Sequence, residues 1–155
     1  MNYEDKLKAM GLELPPVPKP VAAYVPALKF GSMAVTSGQL PVKDGHVAFR
    51  GKVLSEVSLE HAQEAARLCC LNALAAIRSV AGSLDRIERI VRLVGYVQGS
   101  DDFHDQPKVI NGASELLLEV FGEAGRHTRC AIGVNALPLN AAVELDIMVM
   151  LKEDE

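Results

Sequence analysis

Apolar and polar positions alternate along this chain in two different rhythms. Residues 2 to about 10, NYEDKLKAM, read as a short helix that ends at Gly11. LPPVPKP follows, with too much proline for a helix or a central strand, so it reads as an extended arm. Residues 1–20 are taken as an N-terminal helix and Pro-rich arm, and 21–152 as one domain. In AAYVPALKFGSMAVTSGQLP two strands meet at a turn; Met33, Val35 and Ser37 alternate with Ala34 and Thr36, and Gly38 ends the run. VKDGHVAFRG holds an Asp-Gly turn signal and a short strand from His46 to Phe49. From about Ser58 to Ala81 the rhythm turns helical, with Leu59, Ala62, Ala66, Cys69, Ala73, Ala76, Ile77 and Val80 on one stripe. Ser58 suits the N-cap and Gly82 the position just past the end. RIVRLVGYVQG returns to a two-residue period that sets Val91, Leu93, Gly95 and Val97 on one face. A helix through Ile87, Ile90, Val91 and Val94 competes, but the β-branched content and Gly95 favour a strand. A second helix is predicted from about Asp105, its cap, to Phe121, with Pro107 in the first turn and Gly122 at the end. Its stripe is Ile110, Ala113, Leu117, Val120 and Phe121.

The last two runs predict strands. In AVELDIMVM, Val143, Leu145, Ile147 and Val149 face one way, and Glu144, Asp146, Met148 and Met150 the other. The order β-β-(β)-α-β-α-β-β predicts an α+β fold, a two-layer sandwich with a mixed sheet and two helices on one face. The face carrying Glu144, Met148 and Met150 is too apolar to be fully wet and too polar for plain core, which marks a candidate subunit interface.

Composition narrows the function classes. A chain of 155 residues, 49% hydrophobic and 23% charged, fits one soluble core, and without Trp that core must be aliphatic. The net charge of −4 argues against a nucleic-acid partner, and Arg86, Arg89 and Arg92 alternate with Asp85 and Glu88 as on a solvated mixed face. Cys69, Cys70 and Cys130 are odd in number and include no CxxC, which fits a reducing compartment. No run approaches the ~20 apolar residues that span a bilayer, and the N-terminus lacks a secretory pattern, so the expectation is a cytoplasmic protein with no membrane partner. His46, His61, His104 and His127 are scattered, so no metal site is expected. No GxSxG, Walker A loop or GxGxxG occurs.

Two charges stand out: Arg129 opens one strand-like run and Glu144 lies inside the next. If the helices cover the Val143 face, Glu144 points from the other one, and a covered carboxylate needs a cation, donors or a task. If the runs 129–134 and 142–150 lie close together, the two groups border one cleft. Arg129 also reads as a strand-end surface charge, and Glu144 as its ion-pair partner across an interface.

The series AAYVPA, VTSGQLP, KVINGASELLLEVFG and TRCAIGVNALPLNAAVEL resembles the RidA/YjgF family over about Val21 to Leu151. Leu137 is the eighth position after Arg129, Pro138 follows, and Val143-Glu144 closes the pattern. The resemblance implies a chorismate-mutase-like sandwich assembled as a homotrimer with clefts between subunits. It implies hydrolysis of reactive enamines and imines, of the 2-aminoacrylate or 2-iminobutyrate type, to 2-keto acids and ammonia, with no cofactor. By the same resemblance Arg129 grips the substrate carboxylate, Glu144 holds the attacking water, and Tyr24, Ser37, Gly38 and Asn111 line the cleft. A trimer that binds a small 2-imino or 2-keto acid as a sensor, without turnover, is the alternative. Ribonuclease action, a label the family often carries, is opposed by the acidic balance. Ala131, Gly133 and His127 depart from the usual pattern around the arginine and point to a divergent subgroup.

Overall fold

Two long helices packed on a five-stranded sheet build the core of the molecule, whose computed structural model describes residues 2–17, 19 and 22–154; a short N-terminal helix and a two-stranded hairpin are added to it. The first helix, α1, spans Tyr3–Ala9, and the Asn2 side chain caps it by accepting from the Asp5 amide at 2.8 Å. It is docked, not free: Leu7 is buried in the main core, and the Tyr3 ring lies 4.5 Å from that of Phe121. The Pro-rich arm is described only in part, because Pro18 and Pro20 lie outside the described residues, as does Val21, the expected start of the domain.

The strands β1 (Ala27–Phe30) and β2 (Met33–Thr36) form the expected hairpin, and β3 (Val42–Lys43) and β4 (His46–Val47) form a small second one. Asp44 at φ 53° and Gly45 at φ 81° make its turn, a left-handed pair that Asp-Gly tolerates. The β4 strand stops at Val47, short of the expected Phe49. Helix α2 (Leu59–Ala81) is capped by the Ser58 side chain, which accepts from the His61 amide at 3.2 Å. Its Ala62, Ala66, Cys69, Ala73 and Ala76 are wholly buried, and such small side chains let the helix sit close on the sheet. Cys69 and Cys70 are both buried, and burial pushes the Cys70 thiol up to about 12.

The long strand β5 (Ile87–Gln98) is the spine of the sheet, followed by α3 (Gln106–Phe121), β6 (Thr128–Val134) and β7 (Val143–Leu151). The sheet order is β1-β2-β7-β5-β6, with β5 and β6 parallel and the other pairs antiparallel. Helix α2 lies over β7, β2 and β1, and α3 over β6 and β5. One prediction fails in detail. Ile90 pairs with Val149 and Arg92 with Met148, so Val91 is an extra, bulged residue. Ile90 therefore joins Leu93, Gly95 and Val97 on the helix face, and Val91 drops out of that row. Asp105 stands at the start of α3 but makes no side-chain capping bond.

The parity expected for β7 holds. Val143, Leu145, Ile147 and Val149 are wholly buried under the helices, each worth about 1.5–3 kcal/mol of burial, while Glu144, Asp146, Met148 and Met150 line the other face half-covered. Val35 pairs with Leu28 and Met148, and Met33 with Phe30 and Met150, so these side chains extend the same open face. Leu28 is 55% and Phe30 47% exposed there, a patch that single surface apolar residues do not explain.

Candidate functional site

Arg129 lies on the edge strand β6 opposite Leu93, whose side chain is in the core, and so it points to the helix face. Its Nη1 donates to Asn111 Oδ1 at 2.8 Å and to Ser114 Oγ at 3.0 Å, and its Nη2 donates to the Pro107 carbonyl at 3.4 Å. Asn111 and Ser114 are three apart on α3 and thus share one side of the helix. Both Nη1 hydrogens are spent on neutral oxygens. Among the described residues no carboxylate pairs with Arg129. The guanidinium keeps its Nε–H and one Nη2–H, a side that matches the two oxygens of a carboxylate.

Behind this arginine stands His127. Its Nδ1 lies 2.7 Å from the Gly125 carbonyl, and its Nε2 lies 2.8 Å from Ser114 Oγ. A carbonyl only accepts, so Nδ1 carries the proton and Nε2 is the acceptor. Burial lowers the His127 pKa; the Gly125 carbonyl opposes this and Arg129 adds to it. The ring is therefore neutral at pH 7.

Glu144 occupies the other face. It pairs with Tyr96 of β5 across the sheet, and Gly38 lies directly against its carboxyl group. A Cβ at position 38 would come within 2.9 Å of Glu144 Cδ, so only glycine leaves the carboxylate where it is. Burial raises the Glu144 pKa, and Asp146 raises it further. Asp146 is itself raised by burial, against the hydrogen bond from Tyr96 Oη at 3.4 Å and the pull of Arg92. Ser37 donates its hydroxyl to the Val25 carbonyl at 2.6 Å, which ties the end of β2 to the segment carrying Tyr24, 54% exposed.

Five of the six expected residues thus fall into two groups, and Tyr24, exposed, joins neither by a side-chain bond among the described residues. Arg129 and Asn111 meet on the helix face, and Glu144 and Gly38 meet on the open face, with Ser37 next in the chain. Within one protomer Arg129 and Glu144 do not border one cleft: β5 runs between their strands and they point to opposite sides of the sheet. Ser114, His127, Tyr96 and Asp146 belong to these groups, and the sequence does not single them out as site residues. The signal for Ser114 is its spacing from Asn111, and for His127 its two-residue spacing from Arg129.

The family model described as "YjgF/chorismate mutase-like, putative endoribonuclease" matches residues 4–151. The chain belongs to this family. The match includes most of α1, so the N-terminal helix lies within the family region. TCP17 of Trypanosoma cruzi is 41% identical over 146 residues, 94% of this chain and 91% of TCP17. The crystal structure of Atu1372 from Agrobacterium tumefaciens shares 42% identity and a TM-score of 0.90, covering 97% of this chain and 92% of Atu1372. A Shewanella oneidensis crystal structure described as "a putative endoribonuclease" shares 37% identity and a TM-score of 0.94, over 97% of this chain and 100% of that one. Among the described residues no helix is long and apolar enough to cross a membrane.

Proposed function

We propose that this YjgF-family chain hydrolyses reactive 2-imino acids and their enamine tautomers to 2-keto acids and ammonia, in clefts between the subunits of a homotrimer. The observation that carries this reading is Arg129: a half-buried guanidinium steadied by neutral acceptors, with no acidic partner among the described residues and two donors left. Such a group binds a small carboxylate through parallel charge-assisted hydrogen bonds. The apolar open face around Leu28, Phe30 and Met148 supports an assembly that buries it. In that assembly the Arg129–Asn111 group of one copy faces the Glu144–Gly38 group of the next.

The chemistry then follows. The enamine takes a proton at carbon to become the imine. Glu144, a carboxylate whose pKa burial and then Asp146 raise, takes a proton from water as the water oxygen bonds to the imine carbon. That proton passes to nitrogen to give the amino alcohol; the proton of the new hydroxyl follows it by way of the Glu144 carboxylate, the C–N bond breaks, ammonia leaves and the C=O of the keto acid remains. The carboxylate clamp holds the carbon in reach of that water.

The test follows keto-acid release from 2-iminobutyrate generated in situ by a threonine dehydratase. Arg129→Ala and Glu144→Gln are each expected to lose at least 10²-fold in turnover. Full activity in Arg129→Ala refutes the reading. Carboxylate binding without any turnover in the wild type assigns the cleft to sensing instead. An RNA-directed activity would call for a cationic face; the net charge is −4, and Arg86 and Arg126 are paired with Asp154 and Glu123.

A further inference from the structure

With the imidazole neutral, the hydrogen bonds behind Arg129 take one arrangement of protons, and it runs in a single direction. Gly125 O can only accept, so His127 Nδ1 donates and Nε2 must accept. The one proton of the Ser114 hydroxyl goes to Nε2 at 2.8 Å. A lone pair of Oγ is then turned towards Arg129 Nη1, which it meets at 3.0 Å. Ser114 is only 9% exposed, so water has little access to compete for that lone pair.

The far end of the chain is anchored on backbone. The 3₁₀ turn Gly122–Gly125 presses against α3, where a Cβ at Gly125 would stand 2.8 Å from the Leu117 carbonyl carbon and 3.2 Å from Phe121 Cβ. The accepting carbonyl is thereby fixed, and the imidazole and hydroxyl are fixed in turn. All three groups are neutral. A carboxylate in the place of Ser114 would hold the guanidinium more tightly but cancel its charge. A neutral chain orients it and leaves the full positive charge for a ligand.

We propose that His127, acting through Ser114, is a positioning residue that sets the Arg129 guanidinium for carboxylate capture. The inference rests on Arg129 being the carboxylate grip. Without His127 the Ser114 hydroxyl rotates, its lone pair is no longer directed, and Nη1 keeps only Asn111 as a firm acceptor. The side of the guanidinium left for the ligand then loses its fixed direction.

The experiment measures 2-oxobutyrate binding to the full chain by calorimetry, alongside steady-state turnover. His127→Ala is expected to weaken binding about 5- to 10-fold, the worth of one directed hydrogen bond, and to show it in KM more than in kcat. His127→Gln, whose amide oxygen can accept the Ser114 proton, should recover binding to within about 2-fold of wild type by the same reasoning. Ser114→Ala should weaken binding as His127→Ala does, and it takes over as the deciding variant if His127→Ala does not fold. The proposal is overturned if Ser114→Ala or a folded His127→Ala binds as well as wild type, or if His127→Gln is as weak as His127→Ala. Arg129→Ala separates the two claims. Retained binding in that variant defeats the carboxylate-grip reading itself, whereas lost binding there with intact binding in Ser114→Ala defeats only the relay.

Discussion

Replacing Gly112 by alanine sets two familiar effects against each other. Gly112 lies in the middle of α3, where alanine ordinarily stabilises a helix by about 1 kcal/mol over glycine. Here, however, α3 crosses α2 at that residue. A Cβ at 112 would stand 2.9 Å from the Gln63 carbonyl carbon and 3.1 Å from its Cα, and would meet the carbonyl oxygen closer still. These are backbone atoms that cannot swing aside. Carbon atoms sit at about 3.5 Å or more in normal contact, so the helices must part by at least roughly 0.6 Å. A gap of that size forfeits about a quarter of the dispersion energy along the contact, where Ile110 and Ala113 are wholly buried. Overpacking costs about 1–3 kcal/mol, and because backbone must move here the cost lies in the upper part of that range, about 2–3 kcal/mol. The net expectation is a loss of about 1–2 kcal/mol, and for a domain of this size a Tm lower by roughly 2–8 °C. Asn111 is the next residue and holds Arg129 at 2.8 Å, so KM should rise with the same displacement. Thermal unfolding followed by circular dichroism, at one fixed protein concentration, decides the matter. A Tm equal to wild type or higher would mean that propensity wins and that the helices are not in the close contact described.

Gly38→Ala acts on the other group: its Cβ forces the Glu144 carboxyl away, and turnover should fall about 10²-fold from a misplacement near 1 Å. Its Tm should change little, because the displaced atoms are the end of a flexible side chain; turnover within 2-fold of wild type would sink this account. For pH, Glu144 must be ionised to take a proton from water, and burial followed by Asp146 raises its pKa. The acid limb of kcat/KM should therefore have its midpoint above the ordinary 4.5, and a midpoint at or below that value contradicts the assignment. Stability carries the opposite sign. A carboxyl whose pKa is raised on folding binds more protons folded than unfolded, so its contribution is present below the unfolded value and is lost as pH rises through the folded one. Glu144→Gln should thus gain more stability over wild type at pH 8 than at pH 4, measured by urea denaturation.

Helices are the legible part of this sequence because their signals are local. Ser58, the alanine stripe and Gly82 mark α2 at Leu59–Ala81 with nothing needed from elsewhere. The bulge at Val91 is not legible, since Ile90 and Val91 are both apolar and β-branched. Only the register against Val149 and Met148 decides which one enters the core. The same limit governs the site. Arg129 and Glu144 announce themselves as charges in apolar strands, and the parity of β7 sets the face of Glu144 correctly. The relation between the two depends on β5 lying between β6 and β7, a non-sequential order that no local period encodes. Ser114 escapes notice, and His127 is noticed only as a departure from the family pattern, because serine on a helix and histidine before a strand show no role until the fold aims them at one arginine.

The separation of the two charges has an electrostatic consequence that bears on the proposed chemistry. An arginine within about 4–6 Å of a carboxylate lowers its pKa by one to three units. Were Arg129 on the open face beside Glu144, the pair would close as a half-buried salt bridge. The acid would become too weak a base near neutral pH, and the guanidinium would have no donors left for a ligand. With the sheet between them, Glu144 keeps the company of Asp146 and a raised pKa, while Arg129 keeps only neutral acceptors. A protomer built this way holds each charge ready and lets neither quench the other. In the proposed homotrimer a substrate then enters between the arginine of one copy and the acid of the next, its carboxylate on the first and its imine carbon before the second. The ligand itself keeps the two charges apart, and they meet only through the molecule on which they act.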